Sequence, residues 1–314
     1  MLIALLIAVG FILLMLASGA YIFCVACCRG KGVNWLDERT VSATPYVEYY
    51  SRIVSADRWL KDQGCQDVFI NAKDGIRLHG LWVPVTEAKG TVMLLHGYRS
   101  TYLVDFSMAL EFYHGAGYNL LIPDQRAHGK SEGKFITFGV KESDDVLRWI
   151  DFHNRNFGDI PIVLSGLSMG ASTVLYVTDR ELPANVKGVI ADCGFTSPKA
   201  ILSHVYKKTT HLPPVLSMWA VNIFTKAFAG FSISERDTRA CLSNSRVPVL
   251  MIHGRNDGFV PCNMSEQGYS ACTGKKRILL VDGADHGVSF IHDREGYTNA
   301  VVSFLAENVD RIEQ

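Results

Sequence analysis

The chain has 314 residues, and its 31 basic and 31 acidic side chains give a formal net charge of zero at pH 7. The charges form no basic stripe, so the composition argues against a nucleic-acid-binding protein. The length that remains after the first 28 residues is enough for one large α/β domain with a sizeable core.

The first 28 residues form an apolar segment that carries no charged side chain. About 20 such residues cross the ~30 Å hydrocarbon core of a bilayer, so residues 1–28 are predicted to form a transmembrane anchor. Arg29 and Lys31 follow at once, and the positive-inside rule then puts the rest of the chain in the cytoplasm. The alternative is a secretory signal peptide cleaved near residues 18–20, after which the domain would be secreted. The segment lacks the basic residues with which a signal peptide begins, and its apolar stretch continues through Val25. Both features argue against a signal peptide.

Residues 29–64 mix aromatic and charged side chains and are predicted to form a juxtamembrane linker with a helical piece. The sequence leaves open whether this piece lies at the membrane interface or packs on the following domain. Residues 65–314 are predicted to form that domain. Its first two strands, near residues 67–70 and 77–84, flank Asp74-Gly75, a pair typical of a hairpin turn.

After the hairpin, short Val/Ile/Leu runs alternate with longer amphipathic stretches such as Val140 to Phe157. This alternation predicts a mostly parallel sheet with helices on both faces. The alternation stops between Thr196 and Ala240, where an apolar stretch of low charge predicts a small helical lid after the sixth strand. The alternative is a further crossover packed on the sheet. The apolar side chains of a lid would favour an acyl or aromatic group in the site.

Ser168 lies at the centre of a G-x-S-x-G pentapeptide, residues 166–170, between an apolar run and a helix-like stretch. A serine hydroxyl becomes a nucleophile when a sharp turn holds it out of the sheet, beside a base and backbone N–H groups. The flanking glycines permit such a turn. A chance match in a chain of this composition is roughly a one-in-six event, so the interpretation depends on finding its partners.

The candidate partners of Ser168 follow two later strand-like runs, residues 247–254 and 276–281. Asp257 comes after the first run and His286 after the second. Because ligands of parallel sheets bind outside the carboxyl ends of the strands, all three groups fall on the expected edge. Their order along the chain, serine, then acid, then histidine, is that of a nucleophile-elbow hydrolase.

Other acids and histidines compete for these roles. Asp282 and Asp285 are alternatives to Asp257, but Asp285 directly precedes His286, and neighbours in a turn rarely point at one another. His96 and His128 lie in glycine-flanked loops, where an imidazole more often holds backbone groups in place.

An oxyanion hole is predicted from two backbone N–H groups, those of Tyr98 and Met169. Met169 directly follows the candidate nucleophile, and Tyr98 lies in the loop after the strand-like run 91–95. Phe195, at the end of another strand, and Trp219, in the predicted lid, are candidate substrate-binding residues.

Taken together, these motifs resemble those of α/β-hydrolase-fold serine hydrolases, near the branch of monoacylglycerol lipases, serine aminopeptidases and small esterases. The matching segments are residues 96–98, 124–131, 166–170, 253–261 and 285–286. Ala127 stands where the family's D-x-R-G-H-G-x-S loop has its first glycine, a departure that concerns backbone packing only. The resemblance covers roughly residues 65 to 310, and it implies an α/β-hydrolase fold, which would follow the single transmembrane helix predicted for residues 1–28.

The resulting functional prediction is a single-pass membrane protein that cleaves carboxylic esters of small molecules, with Ser168, His286 and Asp257 as catalytic triad. Serine aminopeptidases and acyl-thioesterases would use the same residues, and a non-catalytic binding module is a further alternative. No cofactor fingerprint appears. The eight cysteines include no paired C-x-x-C motifs, so no metal site is expected, and scattered thiols favour a reducing compartment.

Overall fold

One central sheet organises the protein in the computed structural model, which describes residues 1–44 and 46–309. Eight strands are found in these residues, in the order β1-β2-β4-β3-β5-β6-β7-β8. Their bounds are Gln66–Asn71 (β1), Arg77–Val83 (β2), Gly90–Leu95 (β3), Tyr118–Pro123 (β4), Ile162–Leu167 (β5), Val186–Asp192 (β6), Val249–Gly254 (β7) and Lys276–Val281 (β8). Strands β3 to β8 are parallel, and the predicted hairpin β1–β2 is antiparallel, with Asn71 opposite Arg77. The predicted α/β-hydrolase fold is confirmed.

The helices connect the strands and cover the sheet. Their bounds are Leu2–Cys27 (α1), Glu38–Ser42 (α2), Tyr50–Asp62 (α3), Tyr102–Asp105 (α4), Ala109–Gly115 (α5), Val140–Phe157 (α6), Met169–Tyr176 (α7), Pro198–Thr210 (α8), Val215–Phe224 (α9), Thr238–Leu242 (α10), Asn263–Ala271 (α11), Ser289–His292 (α12) and Arg294–Asn308 (α13). A 3₁₀ turn, Val47–Tyr49, precedes α3, and a π-helical turn, Thr225–Ala229, follows α9.

Both faces of the sheet are buried, which explains why the central strands read as continuous apolar runs. In β3, Val92 and Leu94 join the core on the side of α3, α5 and α13, whereas Met93 and Leu95 join the core on the side of α6 and α7. This alternation follows from the two-residue period of a strand. The parallel pairing of β3 to β8 puts their carboxyl ends, and the loops that follow them, at one edge of the sheet.

Helix α1 is long and apolar enough to cross a membrane. Its last turn meets the domain without an intervening spacer, because Ile136 N–H donates to Cys27 O at 2.7 Å and Arg29 N–H donates to Lys134 O at 2.8 Å. The segment 29–64, whose position the sequence left open, packs on the domain through α3, and Ile53 and Leu60 are buried in the core beside the sheet.

A helical insertion, residues 198–242, lies between β6 and β7, where the sequence predicted it. It contains α8, α9, the π-helical turn and α10. Within the insertion, α9 packs along α1, a contact that the sequence did not predict.

Candidate active site

Ser168 stands at a sharp turn between β5 and α7. Its backbone has φ 56° and ψ −112°, a strained conformation for a residue with a side chain. The glycines of the pentapeptide are required by close packing. A β-carbon on Gly166 would lie 2.2 Å from Gly170 O, and one on Gly170 would lie 1.9 Å from Leu95 O. The turn thus presents the Ser168 hydroxyl at the carboxyl edge of the sheet, as the motif predicts.

The structure brings the side chains of Ser168, His286 and Asp257 together from three separate loops. His286 Nε2 lies 3.0 Å from Ser168 Oγ, and His286 Nδ1 lies 2.7 Å from Asp257 Oδ2. Because a carboxylate only accepts, Nδ1 carries the proton and donates to Asp257. Nε2 is then the unprotonated nitrogen and accepts from the Ser168 hydroxyl. This arrangement can remove a proton from the serine during attack on a carbonyl.

Asp257 is held as a carboxylate by its surroundings. The N–H groups of Phe259 and Val260 both donate to its Oδ1 at 2.8 Å, and His253 Nε2 lies 3.1 Å from its Oδ2. Burial alone would raise the pKa of Asp257, but the hydrogen bonds from His253 and His286 outweigh burial and hold that pKa well below its usual range. Sequence reasoning did not predict the contact from His253, although its position four residues before Asp257 was the available signal.

The competing acids have other partners. Asp282 is 89% exposed in its side chain and pairs with Arg255 at 2.7 Å. Asp285 Oδ1 accepts from the N–H of Gly258 at 2.8 Å and from the N–H of His286 at 2.7 Å. Of the three candidate acids, Asp257 is therefore the one whose carboxylate contacts the His286 ring.

His96 and His128 bind backbone groups rather than the nucleophile. His96 Nε2 accepts from Gln125 N–H at 3.1 Å, and His128 Nε2 accepts from Arg99 N–H at 3.0 Å. Each Nδ1 lies 2.9 Å from a carbonyl oxygen and donates to it. Burial, assisted by the neighbouring His96, lowers the pKa of His128 to about 3. Both rings thus support the loops beside Ser168 through hydrogen bonds to backbone groups.

The two backbone groups proposed for an oxyanion hole flank Ser168. Met169 is the first residue of α7, a position whose N–H has no partner within the helix. On the other side, a β-carbon on Gly97 would lie 3.3 Å from Ser168 Cβ, so the loop that carries Tyr98 is in direct contact with the serine. Asp105 holds this loop by accepting from Gly97 N–H and from Ser100 Oγ. No sequence motif marked Asp105 for this role.

A cleft of about 660 Å³ opens beside Ser168 and His286. Its wall includes side chains from four separate segments of the chain, namely Tyr46, Tyr49, Arg52, Lys208, Phe259 and Ile291. The two candidate substrate-binding residues lie elsewhere. Phe195 is buried with its ring 6.4 Å from that of Phe138, and Trp219 is 57% exposed on α9. The reason is that α9 turns toward α1, while the 46–52 segment takes the position beside the cleft.

One group of potential metal ligands lies at this site. Ligand atoms of Cys193, Asp257 and His286 are within 4.8 Å of one another. Burial raises the pKa of the Cys193 thiol well above its ordinary value, so the thiol keeps its proton. Since metals bind the thiolate, this set is a poor metal site.

Comparison with known proteins agrees with this architecture. Residues 86–244, half of the chain, match the sequence profile of the family described as serine aminopeptidase, S33. The uncharacterized protein YqkD of Bacillus subtilis is 26% identical over 240 residues, which are 76% of this chain and 78% of YqkD. The uncharacterized protein YfhR of Escherichia coli K12 is 25% identical over 266 residues, 82% of this chain and 85% of YfhR.

A solved structure extends the likeness to three dimensions. The esterase Pf2001 of Pyrococcus furiosus superposes with a TM-score of 0.66 and 26% identity, covering 80% of this chain and 94% of the esterase. The eight-stranded sheet, the serine turn and the profile match lead to the same assignment. The chain belongs to the serine aminopeptidase (S33) family of α/β hydrolases.

Proposed function

We propose that this protein is a membrane-anchored serine hydrolase that cleaves carboxylic esters through an acyl-enzyme on Ser168. The observation that carries the proposal is the continuous hydrogen-bonded chain from Ser168 Oγ through the His286 ring to Asp257, at the edge of an open cleft. The similarity to a solved esterase supports ester bonds as the substrate class.

The reaction has two acyl-transfer steps. His286 Nε2 takes the Ser168 proton as Oγ attacks the ester carbonyl, and Asp257 stabilises the imidazolium that forms. The imidazolium then gives its proton to the departing alcohol, which leaves an ester on Ser168. Water enters, loses a proton to the same nitrogen and releases the acid. The low pKa of Asp257 supports its role, because the carboxylate stays ionised throughout.

The negative charge of each tetrahedral intermediate is assigned to the N–H groups of Tyr98 and Met169. Removing one such donor typically costs about 3–4 kcal/mol of transition-state stabilisation. Because both donors are backbone N–H groups, their placement depends on the position of the backbone more than on the side chains of Tyr98 and Met169. Asp105 holds the loop that carries Tyr98.

The membrane part of the proposal rests on α1. Its 26 residues would extend about 39 Å at 1.5 Å per residue, longer than the ~30 Å hydrocarbon core. Arg29 and Lys31 directly after α1 favour a cytoplasmic catalytic domain.

The helical insertion contributes Lys208 to the cleft wall, which supports the assignment of the insertion as a lid.

The direct test is labelling of the full-length protein by a fluorescent fluorophosphonate, followed by hydrolysis of p-nitrophenyl esters of graded chain length. Wild type is expected to label and to turn over ester, whereas Ser168→Ala should lose both and keep its thermal midpoint. Ser107→Ala, which changes another serine of the cleft wall, serves as the matched control and should behave as wild type. Ester hydrolysis that survives Ser168→Ala would refute the proposal.

The family description makes peptide bonds the second candidate substrate. A peptidase would use the same triad, so the labelling experiment does not separate the two activities. Faster cleavage of aminoacyl arylamides than of p-nitrophenyl esters would favour the peptidase, and the reverse ratio is expected for the esterase.

A further inference from the structure

Helices α1 and α9 pack closely and run in the same direction. A β-carbon on Gly19 of α1 would lie 2.3 Å from Ala220 Cβ of α9, so two small residues bring the backbones together. One turn further along both helices, the rings of Phe23 and Phe224 stack with centroids 6.3 Å apart. Because residue numbers rise together in the two contacts, the helices are parallel, and the start of α9 points along α1 toward the chain's N-terminus.

Residues 2–14, the exposed part of α1, are too few to cross a bilayer by themselves. Residues 2–14 are exposed throughout, whereas partial burial begins at Met15 and Gly19 is buried. Residues 2–14 extend about 20 Å, about 10 Å less than the hydrocarbon core. About seven further residues are needed to span it, so the bilayer has to reach a level near Tyr21. That level lies beyond Gly19 and therefore includes the part of α9 that packs there.

The outward face of α9 is suited to that position. Its exposed side chains recur at helical spacing and are all apolar, namely Leu212 just before the helix and Val215, Leu216, Trp219 and Ile223 within it. No charged residue occurs between Leu212 and Thr225, while the exposed Lys207 and Lys226 flank the stretch. Apolar and aromatic side chains with basic residues at the border are typical of segments that lie in a membrane interface.

We propose that the outer face of α9 is seated in the lipid bilayer beside α1, so that the helical insertion forms a second membrane contact. This inference rests on the membrane anchoring proposed above, and its occupant is the bilayer that α1 crosses. It accounts for an exposed apolar face that would otherwise be unfavourable in water. It also puts the α8–α9 turn, which carries Leu212, at the deepest point of the insertion.

Trp219 is a built-in probe of this contact. The full-length protein is reconstituted in phosphatidylcholine–phosphatidylglycerol nanodiscs with lipids brominated either at shallow or at deep acyl positions. The fluorescence of Trp219 is obtained as the difference between wild type and Trp219→Phe, a substitution that its exposure tolerates. We expect the brominated lipids, the shallow set most strongly, to quench most of this difference signal and aqueous iodide to leave it unchanged.

Two matched variants in the Trp219→Phe background separate the possible failures. Leu6→Trp reports on the exposed part of α1 and should be quenched by the brominated lipids. Val302→Trp places the probe at an exposed apolar position of α13 and should respond to iodide only.

Each other outcome overturns a defined part of the reasoning. Quenching at position 6 without quenching of Trp219 refutes the α9 contact and leaves the anchor standing. A Trp219 signal shielded from both lipid and iodide would mean that protein, such as a second copy of the chain, covers the face. Absence of quenching at both positions refutes the anchor as well. None of these readouts uses catalysis, so they are independent of the proposed hydrolase activity.

Discussion

Acid should destabilise this protein through His128. The ring is buried and neutral, with Nδ1 donating to Arg126 O and Nε2 accepting from Arg99 N–H. A proton on Nε2 would occupy the lone pair that accepts the hydrogen bond from Arg99 N–H. Its pKa of about 3 in the folded protein lies below the value of about 6.5 expected for an unfolded chain. The unfolded state therefore binds the proton first, and stability falls as the pH drops below about 6.5.

The magnitude follows from these two pKa values. Between about pH 7.5 and about pH 5, linkage predicts a loss of about 2 kcal/mol from this one group. The loss would still be about 2 kcal/mol with a folded-state pKa one unit higher, because pH 5 lies above the folded-state pKa in either case.

The assay compares wild type with His128→Gln, whose amide oxygen can accept from Arg99 N–H but does not titrate. Free energies of unfolding are taken from denaturant curves of both full-length proteins in detergent at the two pH values. Other titrating groups are common to both proteins and cancel in the comparison. Wild type is expected to lose about 2 kcal/mol more than the variant on acidification. Equal losses would refute the assignment of His128 as a buried neutral ring.

Three further changes test the site. Asp257→Asn should lower kcat by about 10⁴-fold, because an amide favours the wrong imidazole tautomer, whereas Asp282→Asn, at an exposed carboxylate, should leave ester kinetics unchanged. Gly170→Ala should abolish folding, since its β-carbon would meet backbone 1.9 Å away, while Gly115→Ala, with open space, should keep the thermal midpoint. Arg99→Leu removes hydrogen bonds to the carbonyls at the end of α1 and should cost about 2 kcal/mol in denaturant unfolding, a loss that unchanged stability would contradict.

The sheet was predictable because its signals are local. Apolar runs, the Asp74-Gly75 turn and the amphipathic period of Val140–Phe157 each specify an element, and the structure has α6 with those same bounds. The convergence of Ser168, Asp257 and His286 also followed from a simple rule. Loops after parallel strands share one edge, so the order of the motifs along the chain was enough to bring them together.

The remaining features depend on contacts between distant segments. Asp105 supports the loop of Gly97, and His253 contacts Asp257. An isolated aspartate or histidine in the sequence gives no indication of which residue it contacts. The contribution of residues 46–52 to the cleft wall could not be predicted either, because the aromatic side chains of that segment suit a membrane interface as well as a protein surface. For Gly19 and Ala220, small size permits a close helix contact without specifying which helix provides it.

The end of α1 is bonded directly to the loop that carries the candidate oxyanion donor. Tyr98 donates its hydroxyl proton to Ala26 O, and Cys28 pairs with Phe135 in an antiparallel bridge. If α1 is embedded in lipid as proposed, these bonds would keep the domain from turning as it would on a flexible tether. Ser168 would then stay at one fixed distance from the bilayer surface, and the protein would select esters whose carbonyl carbon can reach that distance.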